Sequence, residues 1–342
     1  MARHDPLVSV LIPAYNVAPF LGATIQSALA QTWPQVEVIV VNDGSTDDSL
    51  AVARRFAGSR VQVVTQPNAG APAARNRTLS LAQGEYIQWL DADDLLHPDK
   101  IAAQMKVARE LANARVLLSG AFGTFYHRPA KAVFTATPLW RDLDPVDYFL
   151  VRFTRNAYFQ TDAWLVSREL TEAAGPWTDF HSPDDDGEYF ARVVVKSAGV
   201  KFVENARSFY RIANLNGVSR TRSVRAQTAL YESKAKCIRY LLALEDSVRT
   251  RAACVQLLQE WLFEFYPNRA DLVQKARALA ADLGGTLHDP VVKWKYQPVQ
   301  WLLGYQAAAR ASAIMPQLRA RVVREWDKAM YKLTTHQAGS SS

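Results

Sequence analysis

Short β-branched runs alternate with helical patterns through the first ninety residues of the chain, and this alternation constrains the fold more than any other feature. The runs lie at residues 8–13, 36–41, 61–64 and 86–90. Strands that are each followed by a helix favour a mostly parallel sheet with helices on both faces. Ligands bind such sheets beyond the carboxyl ends of the strands. We therefore predict an α/β fold with its binding site at that edge.

Polar loops follow three of the predicted strands. Because the carboxyl ends of parallel strands meet at one edge, we expect these loops to converge and to form a nucleotide site. The loops are Pro13-Ala14-Tyr15-Asn16, Asn42-Asp43-Gly44-Ser45 and Asp91-Ala92-Asp93-Asp94.

The third loop places Asp91 and Asp93 at the end of a buried strand. A desolvated carboxylate costs several kcal/mol unless something pairs with it. Mg²⁺ and Mn²⁺ prefer carboxylate oxygens and take further ligands from substrate phosphates. The D-x-D therefore predicts a metal-held diphosphate, and an Asp-rich turn before a helix is the alternative.

These segments resemble the successive motifs of family 2 glycosyltransferases, in that family's order and spacing. The resemblance covers roughly residues 6–215 and includes Asn68-Ala69-Gly70, Ala74-Arg75-Asn76 and Gly84-Glu85-Tyr86-Ile87. It implies a GT-A fold, which is a mostly parallel Rossmann-like sheet flanked by helices. It also implies a nucleotide-sugar donor, a divalent cation and inversion at the anomeric carbon.

The resemblance implies a nucleoside pocket at Pro13, Tyr15, Asn16 and Asp43. Tyr15 would contact the base or ribose, and Asp43 would accept a hydrogen bond from a base N–H. A UDP-linked donor is favoured, although guanine and thymine carry the same kind of donor group. A turn-forming Asp before Gly44 is the alternative for Asp43.

The resemblance also implies the contacts to the diphosphate and the metal. Arg75 and Asn76 would lie near the diphosphate or the base edge, where a guanidinium suits phosphate. Asp93 would be the principal ligand of Mn²⁺ or Mg²⁺, with Asp91 and Ala92 beside the ribose or the metal. Asp94 is predicted to be the N-cap of the helix that begins after Pro98.

A catalytic base is predicted in the segment Asp184-Asp185-Asp186, which resembles the family's E-D-x-[DE]-x-x-x-R pattern with Asp185 in place of the usual glutamate. On this resemblance Asp186 takes the acceptor's proton. We predict that a helix begins at Glu188 and that its N-terminal field lowers the pKa of Asp186. The alternative is that these aspartates only cap that helix.

One departure from the family leaves the third metal ligand open. Many relatives carry a histidine two residues after Arg211, where this chain has Ala213. His97 and His181 are the nearest alternatives, and neither belongs to a motif. The processive members' Q-x-x-R-W signature is absent, so we expect single additions to a glycan or lipid-linked acceptor. Trp177 is the aromatic residue best placed to contact that acceptor.

Composition sets the expected location and organisation. Cys237 and Cys254 are the only cysteines, which favours reduced thiols in the cytoplasm. We expect no signal peptide, because the chain enters its first strand at once, and no run approaches the ~20 apolar residues of a spanning helix. The predicted units are a catalytic domain at 1–220, a helical region at 221–335 and a disordered tail at 336–342.

Charge differs between the two halves of the chain. Residues 201–342 carry 22 Lys or Arg and 11 Asp or Glu, a net charge of +11, whereas the first 200 residues have a net charge of −4. The basic helix at about residues 314–333, preceded by Trp and Tyr residues, predicts contact with an anionic membrane surface. A helix docked on the catalytic half and a homodimer interface are the alternatives. Nucleic-acid binding is not expected, because no recognised module is present.

Two other enzyme classes lack their signatures here. A sugar-1-phosphate nucleotidylyltransferase needs a Gly-rich basic loop after the first strand, and an NAD-dependent oxidoreductase needs G-x-G-x-x-G there. The loop from Pro13 to Asn16 supplies neither. A non-catalytic nucleotide-sugar-binding or scaffolding protein is the remaining alternative. The retained carboxylates of Asp43, Asp91, Asp93 and Asp186 argue against it.

Overall fold

The computed structural model describes residues 5–178, 182–212, 223–292 and 294–339. Within these ranges the strands are β1 Val8–Ala14, β2 Val36–Asp43, β3 Val61–Gln66, β4 Tyr86–Trp89, β5 Leu95–Leu96, β6 Val116–Phe125, β7 Val133–Phe134, β8 Val166–Ser167 and β9 Gly199–Arg211. The helices are α1 Ala18–Leu29, α2 Ser49–Arg54, α3 Ala71–Leu81, α4 Lys100–Leu111, α5 Pro145–Arg155, α6 Arg168–Ala174, α7 Asp185–Lys196, α8 Val224–Leu244, α9 Val248–Trp261, α10 Ala270–Asp282 and α11 Gln297–Gly339.

The first sheet has the strand order β3-β2-β1-β4-β8. Strands β1 to β4 are parallel, and only the edge strand β8 is antiparallel. Residues 8–12 of β1 are buried, as their uniformly apolar or small side chains in a central strand require. The predicted α/β fold is confirmed, and each of the four predicted strands lies within two residues of its predicted ends.

A second sheet has the order β5-β9-β6-β7 and follows the D-x-D loop in the chain. Its two long strands, β6 and β9, are parallel and shift register between Gly120 and Ala121. A Cβ at Gly120 would lie 2.2 Å from the carbonyl oxygen of Ala206, so only glycine allows this close approach of the two backbones. The sheet carries Tyr210 and Arg211 to the same edge as the first sheet's loops.

The helical region packs directly on the α/β part. Side chains of α8, α9 and α10 share one hydrophobic core with α5, α6 and α7, and Phe149, Tyr189, Ile238 and Leu258 are among its buried members. The division into units at 1–220 and 221–335 therefore stays a prediction about the chain's organisation. Burial of this shared core stabilises the acidic segment that begins α7.

The last helix docks on the turn after β6. The Asp327 carboxylate accepts hydrogen bonds from the backbone N of His127 at 2.9 Å and from Nε of Arg128 at 2.6 Å. Helix α11 is interrupted at Gly304, where φ is 80°. It continues to Gly339, and residues 340–342 of the predicted tail lie outside the described residues. In the part of the chain that the structure describes, no helix is long and apolar enough to cross a bilayer.

Candidate active site

A cavity of about 400 Å³ lies at the carboxyl ends of β1, β2 and β4. The three polar loops meet there, as the sheet argument predicted. The acidic segment at the start of α7 and the end of β9 line the same cavity. The predicted site residues that line it are Pro13, Tyr15, Asp43, Arg75, Asp91, Ala92, Asp93 and Asp186.

In the first loop, Tyr15 lines the cavity and Asn16 joins this loop to the second one. Tyr15 is 51% exposed and borders the cavity. Asn16 has a φ of 49°, a left-handed conformation that Asn tolerates better than most residues. Its Oδ1 accepts a hydrogen bond from the backbone N of Thr46 at 2.8 Å, and its own N donates to Oγ of Ser45 at 3.0 Å. Asn16 therefore joins the first two loops and does not line the cavity.

Asp43 is buried and holds the loop before α3. Its Oδ1 accepts hydrogen bonds from Nε2 of Gln66 at 2.7 Å and from the backbone N of Ala69 at 3.0 Å. Its Oδ2 accepts from the backbone N of Gly70 at 2.9 Å. A carboxylate can accept about four hydrogen bonds, and Asp43 accepts these three. Because Asp43 lines the cavity, it could accept one more hydrogen bond from a ligand there.

Arg75 connects the D-x-D loop to the acidic segment. Its guanidinium donates to Oδ1 of Asp91 at 3.0 Å and to Oδ2 of Asp185 at 2.7 Å, and it lies 4.4 Å from the ring centroid of Trp177. Burial lowers the pKa of Arg75, but the two carboxylates outweigh burial and raise that pKa above its ordinary value. Arg75 thus fixes two anionic groups at the cavity wall.

The neighbouring Asn76 has a different role from the one predicted. Its Nδ2 donates to the carbonyl of Trp177 at 2.9 Å, and its Oδ1 accepts from the backbone N of Trp177 at 2.8 Å. The oxygen and the nitrogen of the Asn76 amide both bond to the backbone of Trp177, and Asn76 does not line the cavity. We therefore do not include Asn76 among the proposed nucleotide contacts. Trp177 itself is 2% exposed and stacks on Tyr189, with ring centroids 4.0 Å apart. It is a core residue and not an exposed acceptor platform.

The D-x-D loop brings Asp91 and Asp93 to the cavity and turns Asp94 away from solvent. Oδ1 of Asp94 accepts a hydrogen bond from the backbone N of Arg211 at 2.6 Å. The residue before α4 is Asp99, so the predicted N-cap role of Asp94 was wrong. Burial, together with the charge of Asp93, raises the pKa of Asp94 well above its ordinary value. Asp94 therefore links the loop to β9.

The protein groups available to a cation are Asp91 and Asp93. Among the described residues no cluster of three or more His, Cys, Asp or Glu side chains is placed to hold a metal ion. His97 lies beside Asp99 and is not part of the cavity lining, and His181 and Ala213 lie outside the described residues. Mg²⁺ in nucleotide sites is commonly held by one or two carboxylates plus substrate phosphates. The two carboxylates fit a cation of that kind.

Each aspartate of the acidic segment meets a different environment. Asp184 accepts from Oγ of Ser233 at 2.7 Å and pairs with Nζ of Lys234 at 2.9 Å. Asp185 pairs with Arg75. Asp186 lines the cavity and accepts a hydrogen bond from the backbone N of Gly187 at 2.8 Å. No cation in the described parts of the chain lies within ion-pair distance of the Asp186 carboxylate.

The environment of Asp186 reverses the predicted direction of its pKa. Helix α7 begins at Asp185 and not at Glu188, so Asp186 lies within the first turn. Burial, followed by the charges of Asp185 and Asp184, raises the pKa of Asp186 to about 7. These effects outweigh the helix N-terminus, so the prediction of a lowered pKa was wrong. A base with a pKa near the working pH is well matched to proton transfer.

Several lining residues were not assigned from the sequence. Arg211 is 7% exposed and donates from Nε to the carbonyl of Asp93 at 2.6 Å. Its positively charged guanidinium therefore lies beside the D-x-D. Burial lowers its pKa, and the carboxylates of Asp94 and Asp93 oppose that change. From the sequence, Arg211 was only the reference point for a missing histidine, and Gln160 and Thr161 come from a turn with no pattern that would have identified them.

Comparison with known proteins shows which family the chain resembles. The sequence model described as "Glycosyl transferase family 2" matches residues 9–173, just under half of the chain. An uncharacterized glycosyltransferase of Rickettsia typhi is 40% identical over 115 residues, which cover 34% of this chain and 36% of that protein. Chondroitin synthase of Pasteurella multocida is 45% identical over 103 residues, which cover 30% of this chain and 11% of that protein.

Solved structures show the fold of the chain. Staphylococcus aureus TarS 1-349 in complex with UDP-GlcNAc has a TM-score of 0.66 at 14% identity, and the match covers 81% of each chain. The mannosyltransferase PcManGT from Pyrobaculum calidifontis, in complex with GDP-Man and Mn²⁺, has a TM-score of 0.51 at 22% identity and covers 95% of this chain and 89% of that one. The predicted GT-A fold is confirmed. The chain spans about a third or less of the length of the curated relatives it matches.

Proposed function

We propose that this chain is an inverting glycosyltransferase that moves a sugar from a nucleotide-sugar donor to an acceptor hydroxyl. The observation that carries the proposal is the composition of one cavity. Nucleotide-side loops, the two carboxylates of the D-x-D and the Asp186 carboxylate all face it. A non-catalytic nucleotide-sugar-binding protein would not need a carboxylate whose pKa is raised to about 7 in the same cavity as the donor loops.

The donor is proposed to be UDP-linked. Asp43 keeps one acceptor position on the cavity side, which suits the imide N–H of uracil, and Tyr15 stands at the cavity mouth against the base or ribose. Arg211 adds a cation for the diphosphate beside Asp93. The complex of TarS with UDP-GlcNAc supports a uridine donor, and the complex of PcManGT with GDP-Man makes guanosine the second candidate.

Mn²⁺ or Mg²⁺ is proposed to bind through Asp93, with Asp91 beside it. The cation would neutralise charge on the diphosphate as it leaves. The presence of Mn²⁺ in the PcManGT complex supports this assignment. Arg75 donates to Oδ1 of Asp91 at 3.0 Å and so restrains the position of that carboxylate.

The chemical step is proposed to be a direct displacement. The acceptor oxygen forms a bond to the anomeric carbon as the bond from that carbon to the phosphate oxygen breaks, and the nucleoside diphosphate leaves. Asp186 takes the acceptor's proton as the new bond forms. Attack on the face opposite the leaving group inverts the anomeric configuration.

The acceptor is proposed to be a glycan or a lipid-linked sugar in polysaccharide or glycolipid synthesis on the cytoplasmic side of the membrane. The likeness of residues in the catalytic half to chondroitin synthase supports a glycan acceptor. The open side of the cavity, bordered by Gln160, Thr161 and Tyr210, is where that acceptor would enter.

Calorimetry of UDP binding with and without Mn²⁺ tests the donor site. Wild type should bind more tightly with Mn²⁺, and Asp93→Ala should lose this metal-dependent part of the binding. Glu85→Ala, which removes an exposed carboxylate close by in the sequence, is the matched control and should bind like wild type. If Asp93→Ala keeps the full metal-dependent binding, the assignment of Asp93 is wrong.

A further inference from the structure

An exposed apolar face lies where the helical region enters α11. The side chains of Trp294, Trp301 and Leu302 are 81%, 82% and 82% exposed, and Leu303 next to them is 71% exposed. Large apolar side chains left in water in one short segment mark an interaction surface more often than chance. No other part of the described chain exposes two tryptophans to this degree.

This segment is anchored to the protein through its other side. Val292, Tyr296 and Ala308 are buried together, with Val299 and Tyr305 packed against them. The ring of Tyr305 also meets the ring of Tyr266 edge-on, with centroids 5.1 Å apart. The outer tryptophans are therefore presented by a packed element, and their exposure is not that of a frayed end.

The side chains around this face indicate what it contacts. Indole rings favour the boundary between water and lipid, because one edge is polar and the rest apolar. Lys295 is exposed between the tryptophans. From residue 290 to the end, the sequence holds eight Lys or Arg and two Asp or Glu. Each cation near an anionic leaflet adds about 1 kcal/mol of attraction.

A second copy of the chain fits this face less well. Large side chains bury about 150–250 Å² each, so these three offer less than the ~800 Å² that a stable protein interface buries on each partner. Two copies would also bring together segments with the same positive charge. An anionic lipid surface would accept the apolar side chains and attract the positive charge of the segment.

We propose that Trp294, Trp301 and Leu302 insert into the headgroup region of an anionic lipid bilayer and hold the protein on its surface. This moves the membrane contact from the helix at 314–333, where Asp327 docks on the turn after β6, to the start of α11. The contact is independent of sugar transfer, because none of these residues lines the cavity.

Co-sedimentation of the full chain with phosphatidylcholine vesicles, with and without phosphatidylglycerol, tests this surface. Wild type should pellet with the anionic vesicles and much less with the neutral ones. The triple variant Trp294→Ser/Trp301→Ser/Leu302→Ser should partition at least about tenfold more weakly, the effect of losing only ~60 Å² of inserted apolar area at ~25 cal/mol per Å². Val224→Ser/Val248→Ser removes two other exposed apolar side chains of the helical region and is the matched control.

The measurements also separate the membrane from a second copy. Tryptophan emission of wild type should shift to shorter wavelength with anionic vesicles, and the shift should disappear in the triple variant. Equal pelleting of wild type and the triple variant would overturn the proposal. So would a wild-type dimer in sedimentation velocity that the triple variant converts to a monomer, because the face would then bind a second copy.

Discussion

Asp184, Asp185 and Asp186 are adjacent in the sequence, yet the fold gives their carboxylates different partners. Lys234 neutralises the first and Arg75 the second, while the third faces the cavity with a pKa raised to about 7. Asp184 and Asp185 are each paired with a cation, so we propose Asp186 as the carboxylate that takes the acceptor's proton.

This arrangement predicts how the rate of transfer depends on pH. Asp186 acts as a base only when it is deprotonated, and its pKa is raised from 3.8 to about 7. We therefore expect kcat/KM to rise with pH through about 7 and to level off above it, since kcat/KM reports the free enzyme. A pH–rate profile in wild type measures this, with donor binding followed in the same buffers. A limb centred near 4 would mean that the cavity does not raise the pKa of Asp186.

Single residues show where sequence reasoning succeeds and where it fails. The motif predicted that Asp186 would lie at the cavity, and it does, whereas the direction of its pKa depends on burial and on neighbouring charges that only the fold brings together. Asn16 and Asn76 belong to motif segments, but their amides bond to the backbones of Thr46 and Trp177. These hydrogen-bond partners lie far away along the chain, so the local sequence pattern does not show which partner each amide takes.

At the scale of elements, a buried ion pair joins α7 to α8. Nζ of Lys234 lies 2.9 Å from Oδ2 of Asp184 and 3.8 Å from the ring centroid of Trp261 on α9. The side chains of Lys234 and Asp184 are 6% and 16% exposed. Breaking a buried pair leaves one uncompensated charge in the interior, which costs several kcal/mol.

Lys234→Met should therefore lower the free energy of unfolding by about 2 kcal/mol, because Asp184 loses its closest cation and keeps only Arg152, 3.8 Å away. Urea denaturation measures the change. Arg251→Met is the matched control. It breaks an exposed pair with Asp246, in which the Arg251 and Asp246 side chains are 43% and 48% exposed, and should cost much less. Equal losses in the two variants would show that the Asp184–Lys234 pair does not hold α7 on α8.

Some elements were predictable and others were not, for reasons of sequence distance and composition. Strands β1 to β4 have compact apolar patterns. The pairing of β6 with β9 joins residues about 80 positions apart, and two glycines and one serine interrupt the apolar pattern of β6. The start of α7 was placed three residues late because aspartates favour caps over helix interiors, yet Asp185 and Asp186 occupy its first turn.

At the scale of the whole molecule, Arg75 sets the relation between the two sides of the cavity. Its bonds to Asp91 and Asp185 join residues 16 and 110 positions away along the chain. One buried guanidinium therefore joins the D-x-D loop to the residue next to the proposed base, and the helical region packs against the helix that carries that base. This is the arrangement that transfer from a bound donor to an entering hydroxyl requires.

The most direct test compares sugar transfer and donor binding in wild type and Asp186→Asn. Asparagine keeps the shape of the side chain but cannot take a proton, so turnover should fall by about 10²–10⁴-fold. UDP affinity should stay within a few-fold of wild type, because the base acts on the transition state and not on the donor. Asp185→Asn, which leaves Arg75 paired with Asp91, is the control and should lose less activity. Transfer by Asp186→Asn at the wild-type rate would contradict the account.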